Sequence, residues 1–337
     1  MTKKKIIFRA DGNSSTGLGH LYRIFSLVEI VKDTFDFICL THESSVRTII
    51  PETYKTNIIP QKISSEQEAD WLVDRFNPED HIIIADGYQF NSSYQKAVKE
   101  KGFTLIYIDD LVKEHMYADI VINHAPSIEE EVYSKETYTT IARGTQYALL
   151  RPGFLDLAKK ERKINTIDTV FVCFGGTDPF NLTYKAVKAL FKIDNIKAIH
   201  IVLGGAYKHT NVLALKSDSK KVHVHKNLTE EELIKVMLQC NFAIAPASTI
   251  LYELCCVKMP ILSGYYVANQ ELIYDGFSQN KAIFKAGNIE KYSEEDFLRE
   301  LGGILDKNNF EEQLIAQSNL FDGQIKERHI KIINSLC

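Results

Sequence analysis

The 337-residue chain exceeds the roughly 100–200 residues usual for one domain, so it predicts two, each able to bury its own core. Its 45% hydrophobic and 25% charged residues are those of an ordinary globular protein, and a net charge of −4 with Lys and Arg spread along the chain excludes the basic stripe of a nucleic-acid binder. The basic opening Met1-Thr2-Lys3-Lys4-Lys5 leads into an apolar stretch too short for a signal peptide, and no run approaches the ~20 apolar residues that cross a bilayer. A cytoplasmic protein with no membrane insertion and no nucleic-acid partner is expected.

Short β-branched runs at 6–8, 37–40, 81–85, 104–108 and 120–122 alternate with helical spacing, which reads as successive β-α units. A Pro/Gly and charge-rich stretch near 151–165 is the candidate linker and sets the expected domains at 1–155 and 156–337. Strand patterns then resume at 169–174, 198–203, 222–225, 242–245 and 260–262, with helices over 230–239 and 249–256. The expected fold class is α/β, two Rossmann-like domains whose ligand lies between them, beyond the carboxyl ends of the strands.

The six cysteines include no C-x-x-C pair and several sit in apolar patterns, so they read as reduced core thiols. His223 and His225 face the same way on a probable strand, but no third ligand is evident nearby, and no D-x-D pattern appears where it would be expected. Neither a metal nor a cofactor is expected.

The first strand runs into Asp11-Gly12-Asn13-Ser14-Ser15-Thr16-Gly17-Leu18-Gly19-His20-Leu21-Tyr22-Arg23, a small-residue loop that opens a helix with Leu21, Ile24, Phe25, Leu27 and Val28 on its apolar face. Gly17 and Gly19 permit close approach of backbone to a ligand. His20 stands at the positive end of the helix, which favours neutral imidazole, the state a general base needs; a cap or core contact explains it equally. Tyr22 occupies the third position of a G-x-G-x-x-G pattern, so a dinucleotide site is disfavoured.

Two later loops have a related character. Gly175-Gly176-Thr177-Asp178 follows the 169–174 strand, and Ala247-Ser248-Thr249 follows the 242–245 strand, each opening a helix. Such loops suit a pyrophosphate held by backbone N–H and hydroxyl donors, although capping accounts for Ser248 as well. Glu253, one turn beyond Thr249, is either a ribose-binding carboxylate or a solvated helix charge. Asp86-Gly87-Tyr88 and Asp109-Asp110 end strands of the first half, as site groups or as turns, and Asn269-Gln270 offers two side-chain amides.

These segments together resemble the PseG-type UDP-sugar hydrolases of the pseudaminic acid pathway, relatives of the MurG-like glycosyltransferases of GT-B architecture. The likeness rests on Arg9-Ala10-Asp11 through Gly17-Leu18-Gly19-His20 and Arg23, on Asp86-Gly87-Tyr88, on Phe174-Gly175-Gly176-Thr177-Asp178, and on Ala247-Ser248-Thr249 to Glu253 with Asn269-Gln270. Ile24 stands where several members have Cys.

The resemblance implies hydrolysis of UDP-2,4-diacetamido-2,4,6-trideoxy-β-L-altropyranose at its anomeric C–O bond, with inversion. His20 is then the general base, Asp11 orients His20 or the water, and Tyr88 and Asn269 contact the sugar. Ser248 and Thr249 bind phosphate, Glu253 binds ribose, and Gly17, Gly19, Arg23, Gly175, Gly176, Thr177 and Gln270 complete the substrate site. The partner is a UDP-linked amino sugar, with other pathway enzymes as possible associates; the rival reading is an inverting glycosyltransferase using the same donor and base.

Overall fold

The computed structural model describes residues 4–13, 17–307 and 310–337. Met1, Thr2 and Lys3 of the basic opening and Ser14, Ser15 and Thr16 of the first glycine loop lie outside the described residues. In chain order the elements are β1 (Lys5–Ala10), α1 (Gly19–Val31), β2 (Phe37–His42), β3 (Thr56–Ile59), α2 (Glu68–Val73), β4 (His81–Asp86), α3 (Ser92–Glu100), β5 (Thr104–Ile108), β6 (Ile120–Asn123), β7 (Thr140–Arg143) and α4 (Pro152–Ala158). They continue with β8 (Thr169–Val172), α5 (Leu182–Phe191), β9 (Ala198–Leu203), α6 (Asn211–Asp218), β10 (Val222–Lys226), α7 (Glu230–Gln239), β11 (Phe242–Pro246), α8 (Thr249–Cys256), β12 (Ile261–Tyr265), α9 (Glu271–Gln279), β13 (Phe284–Asn288), α10 (Glu294–Lys307), α11 (Glu311–Leu320) and α12 (Ile325–Asn334).

Two compact units result: Met1–Pro152 with Gln324–Cys337, and Gly153–Gly323. The expected second domain ran from 156 to 337, and the structure differs at its end. Ile325, His329 and Ile333 of α12 are buried, and the His329 ring meets that of Tyr147 edge-on at 5.7 Å, so the last helix belongs to the core of the first unit.

The first unit is a seven-stranded sheet in the order β3-β2-β1-β4-β5-β6-β7, the second a six-stranded sheet in the order β10-β9-β8-β11-β12-β13; every pairing is parallel. Parallel strands with helices on both faces must be apolar on both sides. The run Ile82-Ile83-Ile84-Ala85 of β4 is accordingly inaccessible to solvent, as are Ile6 and Ile7 beside it. In the second unit Val170, Val172, Ile199, Ile201 and Ile244 meet Leu182, Ala186 and Val187 of α5 in one core.

In each sheet the chain builds outward in one direction and then reverses, between β1 and β4 in the first and between β8 and β11 in the second. Loops leaving the carboxyl ends of the two strands at such a reversal diverge to opposite faces and leave a crevice, the usual ligand site of open parallel sheets. The register of β1 on β4 sets Ala10 level with Asp86, so the glycine loop after β1 begins beside the residues that end β4.

Candidate active site

In the first unit, His20 lies in the first turn of α1 and is 7% exposed. The helix begins after Leu18 with no side-chain cap, and Gly17 (φ 77°) turns the chain into it; Gly17 and Asn13 exchange backbone hydrogen bonds of 2.9 and 3.2 Å across the loop. That tight closure delivers His20 to the β1/β4 crevice. Its Nδ1 lies 2.7 Å from Oδ1 of Asp86, a residue with no solvent exposure.

Burial opposes ionisation of Asp86, but Arg23 and His20 more than offset it and hold the carboxyl below its ordinary range. Arg23, one turn after His20, gives Nε–H to Asp86 Oδ2 at 2.9 Å and Nη2–H to Oδ1 at 2.6 Å, a bidentate fork, and Nη1–H to Asp110 Oδ2 at 2.9 Å. An ionised carboxylate only accepts hydrogen bonds, so the proton of the 2.7 Å contact sits on His20 Nδ1. The close Arg23 Nη2 to His20 Nδ1 approach of 2.8 Å is then two N–H groups converging on one oxygen. The Nε2 lone pair is left to accept a proton, the arrangement of a histidine–carboxylate pair in general-base catalysis.

Tyr88 completes this cluster. Its ring stands edge-on to His20 with centroids 4.8 Å apart, its hydroxyl reaches Asp110 Oδ2 at 3.3 Å, and it is 45% exposed. His124, at the end of β6, is buried and kept neutral, its pKa depressed to about 3 by burial with Arg23 nearby.

Asp11 has a different place from the one expected. Its Oδ1 meets Arg9 Nη1 at 2.6 Å and accepts from the His42 amide, Thr41 and Ser45, while Oδ2 accepts from Gln89 at 3.1 Å. The contact that orients His20 comes from Asp86. Asp11 instead belongs to the buried set in which Arg9 forks onto Glu68 at 2.7 and 2.9 Å and Tyr94 donates to Glu68 at 2.7 Å. Arg23, expected as a substrate ligand, uses each of its three nitrogens to bond a carboxylate of its own unit.

In the second unit the loops singled out in the sequence lie together at the carboxyl end of the sheet. Gly175 (φ 80°) and Gly176 follow β8, and Gly204, after β9, packs so closely on them that an added Cβ would lie 2.4 Å from the Gly176 Cα. Tyr266, after β12, donates its hydroxyl to the Phe174 carbonyl at 3.0 Å, and the Ala247 amide bonds Gly264 O at 2.8 Å. The loops after β8, β11 and β12 are thus tied together beside the reversal point.

The starts of α5 and α8, which follow two of these loops, are unlike. Asp178 (φ 43°) accepts from the amides of Leu182 and Thr183, both at 2.8 Å, so the start of α5 is closed by its own carboxylate and would repel a phosphate. Ser248 occupies the N-cap of α8 without a side-chain capping bond, and Thr249 beside it is exposed. Capping therefore does not explain Ser248. Of these two helix starts, only that of α8 has no carboxylate of its own closing it.

Glu253 lies one turn along α8 from Thr249 and is 5% exposed, so it is not a solvated helix charge. Gln270 is spent on its own loop, its side-chain oxygen accepting from the Tyr266 amide at 3.1 Å, whereas Asn269 is exposed. A cavity of about 610 Å³ lies elsewhere in this unit, against Arg162, Lys258 and Phe310, and none of these loop residues lines it.

The strand pairing adds a histidine that spacing along the chain does not reveal. His200 of β9 lies in register with His223, and its Nδ1 is 3.1 Å from His225 Nε2, a hydrogen bond between rings. Among the described residues no group of three or more His, Cys, Asp or Glu is arranged to hold a metal ion. Cys39, Cys173, Cys240, Cys255 and Cys256 are buried free thiols, and burial pushes Cys39 up to about 12 and Cys173 up to about 11.

No family model matches the chain. Its sequence is 29% identical over 275 residues to the UDP-2,4-diacetamido-2,4,6-trideoxy-beta-L-altropyranose hydrolase of Campylobacter jejuni, covering 79% of this chain and 93% of that protein. The chain is a relative of that hydrolase. It is also 24% identical over 310 residues to the spore coat polysaccharide biosynthesis protein SpsG of Bacillus subtilis, covering 88% and 87% of the two chains. A third relative, an uncharacterized protein of Methanocaldococcus jannaschii, is 25% identical over 288 residues; the match takes in 81% of this chain but only 58% of that longer protein.

Among solved structures, MurG of Acinetobacter baumannii aligns over 98% of this chain and 99% of its own with a TM-score of 0.66 at 10% identity. The fold is therefore of the GT-B class, two Rossmann-like units in one chain. No helix among the described residues is long and apolar enough to cross a membrane.

Proposed function

We propose that the protein hydrolyses a UDP-linked diacetamido-trideoxy sugar at the anomeric C–O bond, releasing UDP and the free sugar with inverted configuration. The observation that carries this reading is the 2.7 Å contact of His20 Nδ1 with the ionised, fully buried Asp86, which leaves Nε2 basic at the β1/β4 crevice. The similarity to the Campylobacter hydrolase, spanning most of both chains, supplies the substrate class.

In the proposed reaction Nε2 takes a proton from water as the water oxygen attacks the anomeric carbon on the face opposite UDP. The bond from that carbon to the phosphate oxygen breaks and its electron pair leaves with UDP. Asp86 stabilises the imidazolium, as the carboxylate of a catalytic triad does. The departing diphosphate needs its charge stabilised more than it needs a proton donor, so one base suffices. Tyr88, exposed beside His20, and Asn269 are the proposed sugar contacts. Ser248, Thr249, Gly175, Gly176 and Thr177 are the proposed diphosphate contacts and Glu253 the ribose contact. Gly17 and Gly19 serve by shaping the loop that carries His20.

The reaction calls on no metal or cofactor and is placed in the cytoplasm. Purified protein given the UDP-sugar, chelator and no acceptor should release UDP, with the inverted sugar seen by NMR. Substrate that stays intact until a sugar or lipid hydroxyl is supplied would make the protein a glycosyltransferase.

A further inference from the structure

The charges around His20 do not cancel within the His20–Asp86 pair. Arg23 sits between two carboxylates, forked onto Asp86 at 2.6 and 2.9 Å and bonded through Nη1 to Asp110 at 2.9 Å. The cluster of His20, Arg23, Asp86 and Asp110 therefore carries one net negative charge while His20 is neutral, and none once His20 is protonated. Because the fork neutralises Asp86, the surplus charge belongs to Asp110, which bonds Arg23 and Tyr88.

We propose that Asp110 is the counter-charge of His20, acting through the Arg23 guanidinium to balance the imidazolium that forms when Nε2 takes a proton. It is a positioning residue, not a catalytic one. Its second bond, from the Tyr88 hydroxyl at 3.3 Å, also holds the tyrosine whose ring packs on His20, so one carboxylate sets both the charge and the orientation at the base.

The other titratable groups facing this cluster do not supply that charge. Tyr107 on β5 has its ionisation pushed far upward by burial and the neighbouring carboxylates. His124, after β6, is neutral, held there by burial. Asp109 is raised by burial and accepts from the amides of Leu111 and Val112 in its own turn, at 3.2 and 3.0 Å, and from Tyr133 at 2.9 Å. Asp110, with its side chain 17% exposed, can lose its charge by substitution while the Arg23–Asp86 fork stays in place.

The inference deepens the reading of His20 as the base, and its test needs no turnover. In protein labelled with 15N histidine, the Nε2 and Nδ1 resonances of His20 are followed against pH in the parent, D110N, D110S and D110E, with the amide spectrum as the check of folding. Removing the charge in D110N or D110S should lower the His20 titration midpoint by about one pH unit, a tenfold loss of proton affinity, and D110E should restore most of it. A folded D110N or D110S whose midpoint equals the parent's overturns the proposal; D110S serves if D110N does not fold. In the hydrolysis assay the same variants should lose kcat about tenfold with KM unchanged. A protein with no hydrolysis but a shifted midpoint would sink the proposed reaction and leave the counter-charge standing.

Discussion

The two crevices of this protein are built in opposite ways. At β1/β4 the first unit packs two carboxylates, a guanidinium and an imidazole together, all buried but the partly exposed Asp110 and every one of them hydrogen-bonded. At β8/β11 the second unit presents Gly175, Gly176, Ser248 and Thr249, groups without charge; Asp178 is spent on capping α5, and Glu253 lies one turn along α8. The difference matches the division of labour proposed for the two units. Moving a proton needs a base fixed in one tautomer, which charge-assisted hydrogen bonds provide, whereas holding a diphosphate needs close backbone and many weak donors, which glycine and hydroxyl loops provide.

The comparison breaks most visibly at His20. H20N should lower kcat by about 10³-fold and leave the UDP dissociation constant measured by calorimetry unchanged, since the proposed base and the proposed nucleotide loops belong to different units. If H20N instead abolished UDP binding, the division of labour would be wrong. Next is D86N, which keeps the shape but can no longer demand the proton on Nδ1. It should cost about 10²-fold in kcat and, by leaving Arg23 half-paired in a buried site, about 3 kcal/mol of stability in urea unfolding.

Acid sharpens the contrast through stability. His124 and His329, both in the first unit, have pKa values depressed by burial from 6.5 to about 3 and about 4. Below pH 6.5 the unfolded chain binds protons that the native rings refuse, so their contribution is complete above that pH and declines as pH falls toward the folded values. The slope is about 1.4 kcal/mol per pH unit for each ring, and H329N should remove its share from the pH dependence of urea midpoints. Asp11, lowered to about 2 where burial is outweighed by Arg9, adds a loss between pH 3.8 and 2.

The smaller effects lie at the loops. S248A should raise the UDP dissociation constant about five- to tenfold with kcat little changed, the worth of about one ordinary hydrogen bond, ~1 kcal/mol. D11N should leave kcat within about threefold of the parent while lowering stability, because Asp11 serves Arg9 and the β2 end. Equal kcat losses in D11N and D86N would return Asp11 to the base's side.

Much of the fold was legible in the chain. The runs at 104–108 and 198–203 and the helices at 230–239 and 249–256 coincide with β5, β9, α7 and α8. Three strands were not read, β3, β7 and β13, and each is an edge strand of its sheet. Their sequences, TNII, TIAR and FKAGN, are short and only partly apolar because one side has no neighbour to bury against. The sequence singles out His20, Tyr88 and the glycine loops as candidates, and the structure sets His20 and Tyr88 side by side with ring centroids 4.8 Å apart. The partnership of Asp86 with His20 was not, since 66 residues separate them along the chain. The order in which β4 follows β1 across the sheet reversal was the one signal that could have found it.

By itself the sequence determined the class of the fold, the separation into two α/β units and the candidate loops, because apolar periodicity, glycine and helix-start residues act within a few positions of each other. Only the tertiary structure decided which carboxylate serves His20, that Arg23 is a clamp, that Asp178 closes one helix start while α8 stays open, and that the last helix returns to the first unit. Those outcomes depend on which strands lie side by side and in what register. Pairing of that kind is settled by burial of the whole core and leaves no mark at any one position.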